Sequence, residues 1–181
     1  NQDSNSQPNR DENNNDLVMA GLNFKRTWGT SNFRASLGYG TVLDEVEGKP
    51  ETASAFNGGI GFGFGGWNIG AAFSNYSDSG ANDGSGINIG TNYSSGPWGV
   101  SLSYFHGEKD GTGSGSGTEG SLDGDGEQDT IQLSGKYALG PGITAAASLA
   151  HASFKSDDAD LDNEAREVDA TYGVIGLKIS F

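Results

Sequence analysis

Ala55-Phe-Asn-Gly-Gly-Ile-Gly-Phe-Gly-Phe64 decides how this chain folds. Phe56, Ile60, Phe62 and Phe64 share one phase, and Asn57, Gly59, Gly61 and Gly63 share the other. Side chains along a strand point to opposite faces in turn, so the segment reads as a strand with one apolar face and one nearly bare face. Two glycines later the pattern restarts over Trp67–Tyr76. There Trp67, Ile69, Ala71 and Phe73 oppose Asn68, Gly70, Ala72 and Ser74.

Working outward, the same alternation predicts strands over Leu17–Thr27, Phe33–Leu43, Ser85–Ser94, Trp98–His106, Gln128–Leu139, Ile143–Lys155 and Val168–Phe181. With Ala55–Phe64 and Trp67–Tyr76 these make nine strands. The segments between them are of two kinds. Asn1–Asp16, Asp44–Ser54, Asp78–Gly84, Gly107–Glu127 and Ser156–Arg166 are long and polar and hold 21 of the 24 acidic residues. Gly29–Ser31, Gly65–Gly66, Ser95–Pro97 and Gly140–Gly142 are short and free of acids. Asp129, Glu167 and Asp169 sit where a long segment runs into a strand, so no acid is expected in mid-strand. Long and short connections alternate strictly, which describes a wall with two unlike ends.

A soluble β-sandwich also alternates. Its solvated face usually carries many Lys, Glu and Thr, and glycine is depleted in ordinary strands. Here the face opposite the apolar one is mostly Gly, Ser and Asn. That suits the lumen of a barrel whose other face meets lipid. The expected class is therefore all-β: an antiparallel, up-and-down transmembrane β-barrel, with long loops at one end and tight turns at the other. Residues 1–16 form an acidic polar segment, and residues 17–181 form barrel wall.

Composition agrees. The chain of 181 residues fits one domain, and no run approaches the roughly 20 apolar residues of a membrane helix. Barrel strands need only about 9–11. Hydrophobic content of 33% with 31 glycines could suggest disorder, but regular alternation and 10% aromatics argue against it. A net charge of −14 without a basic stripe excludes nucleic acid as a partner. There is no cysteine.

Trp28, Trp67 and Trp98 all flank short turns, in the apolar phase of their strands, with Phe33, Phe64 and Tyr93 nearby. Phe181 ends the last strand. Tryptophan and tyrosine favour the headgroup level, so these residues are expected to form an aromatic girdle at the short-turn end. An odd strand number leaves two unpaired edges in lipid, which is untenable. Nine strands are thus expected to be part of a larger barrel, completed by strands from before Asn1 or from another chain.

Tyr172-Gly-Val-Ile-Gly-Leu-Lys-Ile-Ser-Phe181 resembles the C-terminal strand of Gram-negative outer-membrane porins, with alternating apolar residues, an early aromatic and a terminal Phe. Lys136-Tyr-Ala-Leu-Gly-Pro-Gly-Ile143 is similar to the penultimate turn of the general trimeric porins of proteobacteria. The resemblance implies the last nine strands of a barrel of roughly sixteen, a homotrimer, and a water-filled pore. It also implies an outer-membrane location, with long loops extracellular and the C-terminus periplasmic. The first strands and the inward-folded loop of that family are not represented, so no constriction acids can be named.

Candidate site residues follow from phase. Lys25, Arg34, Lys136 and Lys178 share the Gly-rich face and would line the pore. A cation on the lipid face would cost about 2–4 kcal/mol at the midplane. Fixed positive charge on the wall biases permeation toward anions, though the same residues could merely balance carboxylates or snorkel at the rim. Arg26 and Lys155 are ambiguous in phase. Asp123, Asp125, Glu127 and Asp129 alternate with glycine in part and suggest a weak calcium site, against the plainer reading of a solvated acidic loop. Asp157, Asp158, Asp160, Asp162 and Glu164 form a second acidic cluster. Weak divalent bridging to lipopolysaccharide and outer-membrane lipid as partners are expected on the same grounds. His106 falls at the outer rim and His151 in the apolar phase, with no Ser-His-Asp pattern, so neither a catalytic residue nor a cofactor is expected.

The leading functional expectation is a passive diffusion channel for ions and small hydrophilic solutes. A surface adhesion or receptor barrel working through the acidic loops is the alternative, and an outer-membrane barrel enzyme is a further one.

Overall fold

The computed structural model describes residues 17–42, 53–77, 83–111, 124–157 and 167–180. Asn1–Asp16, most of the long acidic connections, Asp123 and Phe181 lie outside the described residues. The nine expected strands form: β1 (Leu17–Trp28), β2 (Ser31–Val42), β3 (Ser54–Phe64), β4 (Trp67–Ser77), β5 (Gly84–Ser95), β6 (Trp98–Lys109), β7 (Gly126–Gly140), β8 (Ile143–Ser156) and β9 (Glu167–Ile179). They make one sheet in chain order, every neighbour antiparallel. The sheet does not close on itself: β1 and β9 are its edges and are exposed along their whole length.

Local chemistry explains the tight ends. Gly65 and Gly66 link β3 to β4 with φ of 52° and 89°. Two consecutive positive φ values suit a two-residue hairpin whose twist matches that of the strands, and glycine adopts them without strain. Between β7 and β8, Gly142 has φ of 75°, and its carbonyl accepts from Ser180 N at 2.8 Å. A Cβ there would lie 2.3 Å from the Ser180 carbonyl oxygen, so the turn and the end of β9 interlock only through glycine. A register shift between Ala138 and Gly140 leaves Leu139 unpaired just before this turn.

The sheet has no core of the soluble kind. Ala53 and Ala150 are the buried apolar residues among those described, and no large side chain is fully buried. Instead Ile60 is 61% exposed, Leu133 56% and Leu177 65%, all on the same face. In water such a face would be an aggregation surface of many hundreds of Å², whereas in lipid it is ordinary. Phe56 is partly covered because its ring packs on Phe73 with centroids 5.2 Å apart. The opposite, polar face is the concave one. It encloses a trough of about 730 Å³ that runs from β1 to β6 past Asn23, Arg34, Asn68, Asn88 and Ser101.

Two strand ends depart from expectation. β6 runs three residues beyond His106 and β7 starts at Gly126, so Glu108 and Glu127 pair across strands instead of lying in a loop. Asp129 is likewise the fourth residue of β7. The reason is pairing: once β6 and β7 share a ladder, each added residue gains a partner, and these ends are wet enough for carboxylates.

The two faces make a direct prediction. Ile60→Arg, on the convex face, should cost about 2–4 kcal/mol. Asn88→Arg, on the concave face, should cost no more than about 0.5 kcal/mol. Denaturant titration of the barrel in lipid vesicles measures both, and equal costs would reject the assignment of faces.

Candidate functional site: the concave wall

The ladder fixes which side chains share a face. Lys25 pairs with Arg34, and Arg34 in turn with Gly61. Lys136 lies between Gly99 and Ala146, and Lys178 opposite Thr144. All four therefore stand in the Gly/Ser/Asn phase, where alternation put them. Arg26 pairs with Phe33 and Lys155 with Glu167, which assigns both to the convex face. Arg26 lies two residues from Trp28 there, and Lys155 Nζ is 3.8 Å from Glu167 Oε1.

Charge is segregated between the faces. Within the described strands the acids are Glu108, Glu127, Asp129, Glu167 and Asp169, and all five take the convex phase near the long-loop end. The concave phase holds Lys25, Arg34, Lys109, Lys136 and Lys178 and no acid among the described strand residues. A chain of net charge −14 thus presents a positive concave wall. That follows from solvation: the inner face is the one place along the strand where a charge stays in water at every depth.

Glycine shapes how these cations lie. A Cβ on Gly99 would fall 2.6 Å from Lys136 Cε and 3.0 Å from its Cγ, so the lysine stem runs flat across the bare backbone. A Cβ on Gly61 would stand 3.6 Å from Arg34 Nη2, so the guanidinium also lies against the wall. Amides use the same space. Asn32 and Asn68 meet over Gly63, and Asn68 Nδ2 donates to Asn92 Oδ1 at 3.2 Å. Further along, Gln132 Nε2 donates to Ser134 Oγ at 3.0 Å, and Ser148 Oγ donates to the same oxygen at 2.8 Å. The glycines thus leave a smooth hydrophilic surface with its charges laid down on it. Sequence phase located the cations but not this arrangement, because cross-strand neighbours depend on register.

The concave face changes character toward β9. Phe105, Phe154, Val168, Tyr172 and Val174 stand on it, among Ala146, Ala150 and Ala152. The early aromatic of the C-terminal strand, Tyr172, thus faces inward, opposite Ile175, Leu177 and Ile179.

On the convex face Trp28, Trp67 and Trp98 lie at the short-turn end. Trp28 packs against Phe62 at 6.1 Å, Phe62 against Phe64 at 5.5 Å, Trp67 against Tyr93 at 4.8 Å and Trp98 against Tyr137 at 4.3 Å between centroids. Phe33 contacts Phe24 at 6.2 Å. Phe62 and Tyr137 are members of this belt that turn proximity alone did not single out. At the other end the acidic stretch divides. Asp125 Oδ1 accepts from Gly111 N at 2.9 Å, and Glu127 and Asp129 converge on His106. His151 Nδ1 lies 2.9 Å from Thr171 Oγ1 on the apolar face, a satisfied pair.

A model of the Gram-negative porin family matches residues 1–158. No curated protein matches the chain by sequence. Solved outer-membrane proteins share its fold. OmpT of Vibrio cholerae, folded in vitro and in its trimer form, is 15% identical with a TM-score of 0.54 over 90% of this chain and 56% of its own. OpdK of Pseudomonas aeruginosa is 15% identical with a TM-score of 0.57 over 90% and 48%. OccK2 (OpdF) of Pseudomonas aeruginosa, solved in complex with glucuronate, is 12% identical with a TM-score of 0.58 over 91% and 51%. The chain spans about half the length of these barrels.

If Gly99 is what lets Lys136 lie flat, Gly99→Ala should lift the ammonium off the wall. Acylation of Lys136 by a small water-soluble amine reagent, followed by mass spectrometry, should then speed up while Lys178 is unchanged. Equal rates at Lys136 in both proteins would show that the lysine does not depend on the glycine.

Proposed function

This chain belongs to the Gram-negative porin family, and from that premise we propose that it forms part of the wall of a water-filled channel through which ions and small hydrophilic solutes diffuse passively. The family and the fold make it an outer-membrane β-barrel protein. The barrel is completed by strands that pair with the free edges of β1 and β9, since lipid cannot satisfy their backbone groups. The long acidic loops face outward and the tight turns and β9 end face the periplasm, a reading supported by the alternation of short turns and long connections, since such barrels have short periplasmic turns and longer extracellular loops. A homotrimer is supported by the trimeric form of one similar barrel. Lipid and lipopolysaccharide surround the convex face, and the acidic loops hold calcium weakly.

The observation that carries the finer reading is the segregation of charge. Size exclusion sets what passes, and Lys25, Arg34, Lys136 and Lys178 bias the traffic toward anions. A fixed cation about 8 Å from a passing anion contributes about 0.5 kcal/mol in bulk water and about 2 kcal/mol at an effective dielectric of 20. The latter exceeds the ~1.4 kcal/mol of a tenfold preference. The loop acids act through wet surroundings, where salt screens them beyond about 8 Å. Glucuronate, the ligand in one of the similar barrels, is an anion, which agrees with this direction. An adhesion or receptor barrel and a barrel enzyme share the fold, but the family match supports a channel over both.

Planar-bilayer recording of the intact barrel tests both levels. Steady ohmic conductance is expected, and its absence would reject the channel. Under a salt gradient, the Arg34→Glu/Lys136→Glu double variant should shift the reversal potential toward cations, lowering the anion-to-cation permeability ratio several-fold. An unchanged ratio, together with a large shift on neutralising Asp123, Asp125 and Glu127, would move the selectivity filter to the acidic long-loop end.

A further inference from the structure

On the convex face, at the long-loop end, β6 and β7 bring three metal-competent donors together. His106 Nδ1 lies 3.0 Å from Asp129 Oδ1 and 3.7 Å from Glu127 Oε1, and the three ligand atoms all fall within 4.8 Å of one another. The strands themselves position them: Asp129 is directly opposite His106, and Glu127 opposite Glu108, two residues along on the same face.

The hydrogen inventory shows what this cluster lacks. His106 Nε2 is 3.2 Å from Glu108 Oε1. Nδ1 faces Asp129 Oδ1 in the same way, so each ring nitrogen has a carboxylate before it, and carboxylates only accept. A neutral ring has one hydrogen for its two nitrogens, so one of them meets a carboxylate as a lone pair. The hydroxyl of Tyr104 donates to Asp129 Oδ1, the oxygen that also faces His106. One imidazole among three carboxylates is held together by added positive charge. Either a proton or a metal ion supplies it.

We propose that His106, Glu127 and Asp129 form a binding site for a divalent transition-metal ion of the zinc class. Zinc takes imidazole nitrogen at about 2.0–2.1 Å and carboxylate oxygen at about 2.0–2.2 Å. Donors on such a tetrahedron stand about 3.4 Å apart; the two separations from His106 Nδ1, 3.0 Å and 3.7 Å, bracket that value, and the two carboxylate oxygens lie within 4.8 Å of each other. An imidazole ligand selects this class over calcium and magnesium, which want oxygen alone. Glu108 on the far ring nitrogen orients the imidazole, the arrangement that fixes tautomer and raises ligand basicity, and Tyr104 holds the Asp129 carboxylate in place. Three protein donors leave a fourth position open to solvent. The bound ion clamps the outer ends of β6 and β7 at the base of their long connection. None of this depends on the channel reading, because the site lies on the opposite face from the cations of the wall.

Isothermal titration calorimetry on the intact barrel in detergent, stripped with a chelator, tests the site with Zn²⁺ and Ca²⁺ as probes. One Zn²⁺ should bind per chain, more tightly than Ca²⁺. His106→Ala and Glu127→Gln should each weaken Zn²⁺ about tenfold or more and leave Ca²⁺ unchanged. Glu167→Gln, on the next strand pair, should bind as the unaltered protein does. Zn²⁺ should also raise the unfolding temperature of the unaltered barrel but not of His106→Gln, a second variant that keeps a polar side chain at the position. Absence of Zn²⁺ binding, or Zn²⁺ affinity equal in the His106 variants, would overturn the proposal and leave a proton as the shared charge.

Discussion

A backbone in hydrocarbon finds no water to bond with, so every amide along these strands must be paired by another strand. From that constraint come the unbroken antiparallel order of the sheet and the tight glycine turns that keep neighbours in register. It also gives each side chain one of only two environments. With a period of two, a residue is either on the face that meets lipid or on the face that meets water. A slip of one residue would exchange the faces of a whole strand. Ile60 beside Gly61, or Leu133 beside Ser134, cannot tolerate that exchange.

What could be read from the sequence was what depends on phase alone. Phe56, Ile60, Phe62 and Phe64 against a row of glycines fix a strand and its faces without knowledge of any neighbour. The same holds for Lys25, Arg34, Lys136 and Lys178, which fall on the polar face by counting. The tryptophans were legible because Trp28, Trp67 and Trp98 sit beside turns that glycine and proline mark plainly.

What could not be read depends on register and on strand ends. Nothing in Gly107-Glu-Lys109 looks like a strand, since its residues are depleted there. It becomes one because β7 continues alongside it. Only then do Glu108, Glu127 and Asp129 share a face with His106, and an apparent acidic loop becomes an organised group of ligands. The flat course of Lys136 over Gly99 is hidden for the same reason, because the two residues are far apart in the chain and meet only across the ladder. The inward-facing Tyr172 shows a further limit. A terminal-strand pattern names the residue without saying that it shares a phase with Lys178.

The division of charge between the two faces also separates what can vary. The isoelectric point near 4.2 is dominated by carboxylates on the loops and on the convex rim. Electrophoretic mobility and adsorption to charged surfaces would report those carboxylates. They would be blind to the cations set into the concave wall. Exchanging the loops could therefore reverse the sign of the molecule as seen from a distance without touching a single residue of that wall. Net charge is thus free to change while the wall keeps its own chemistry.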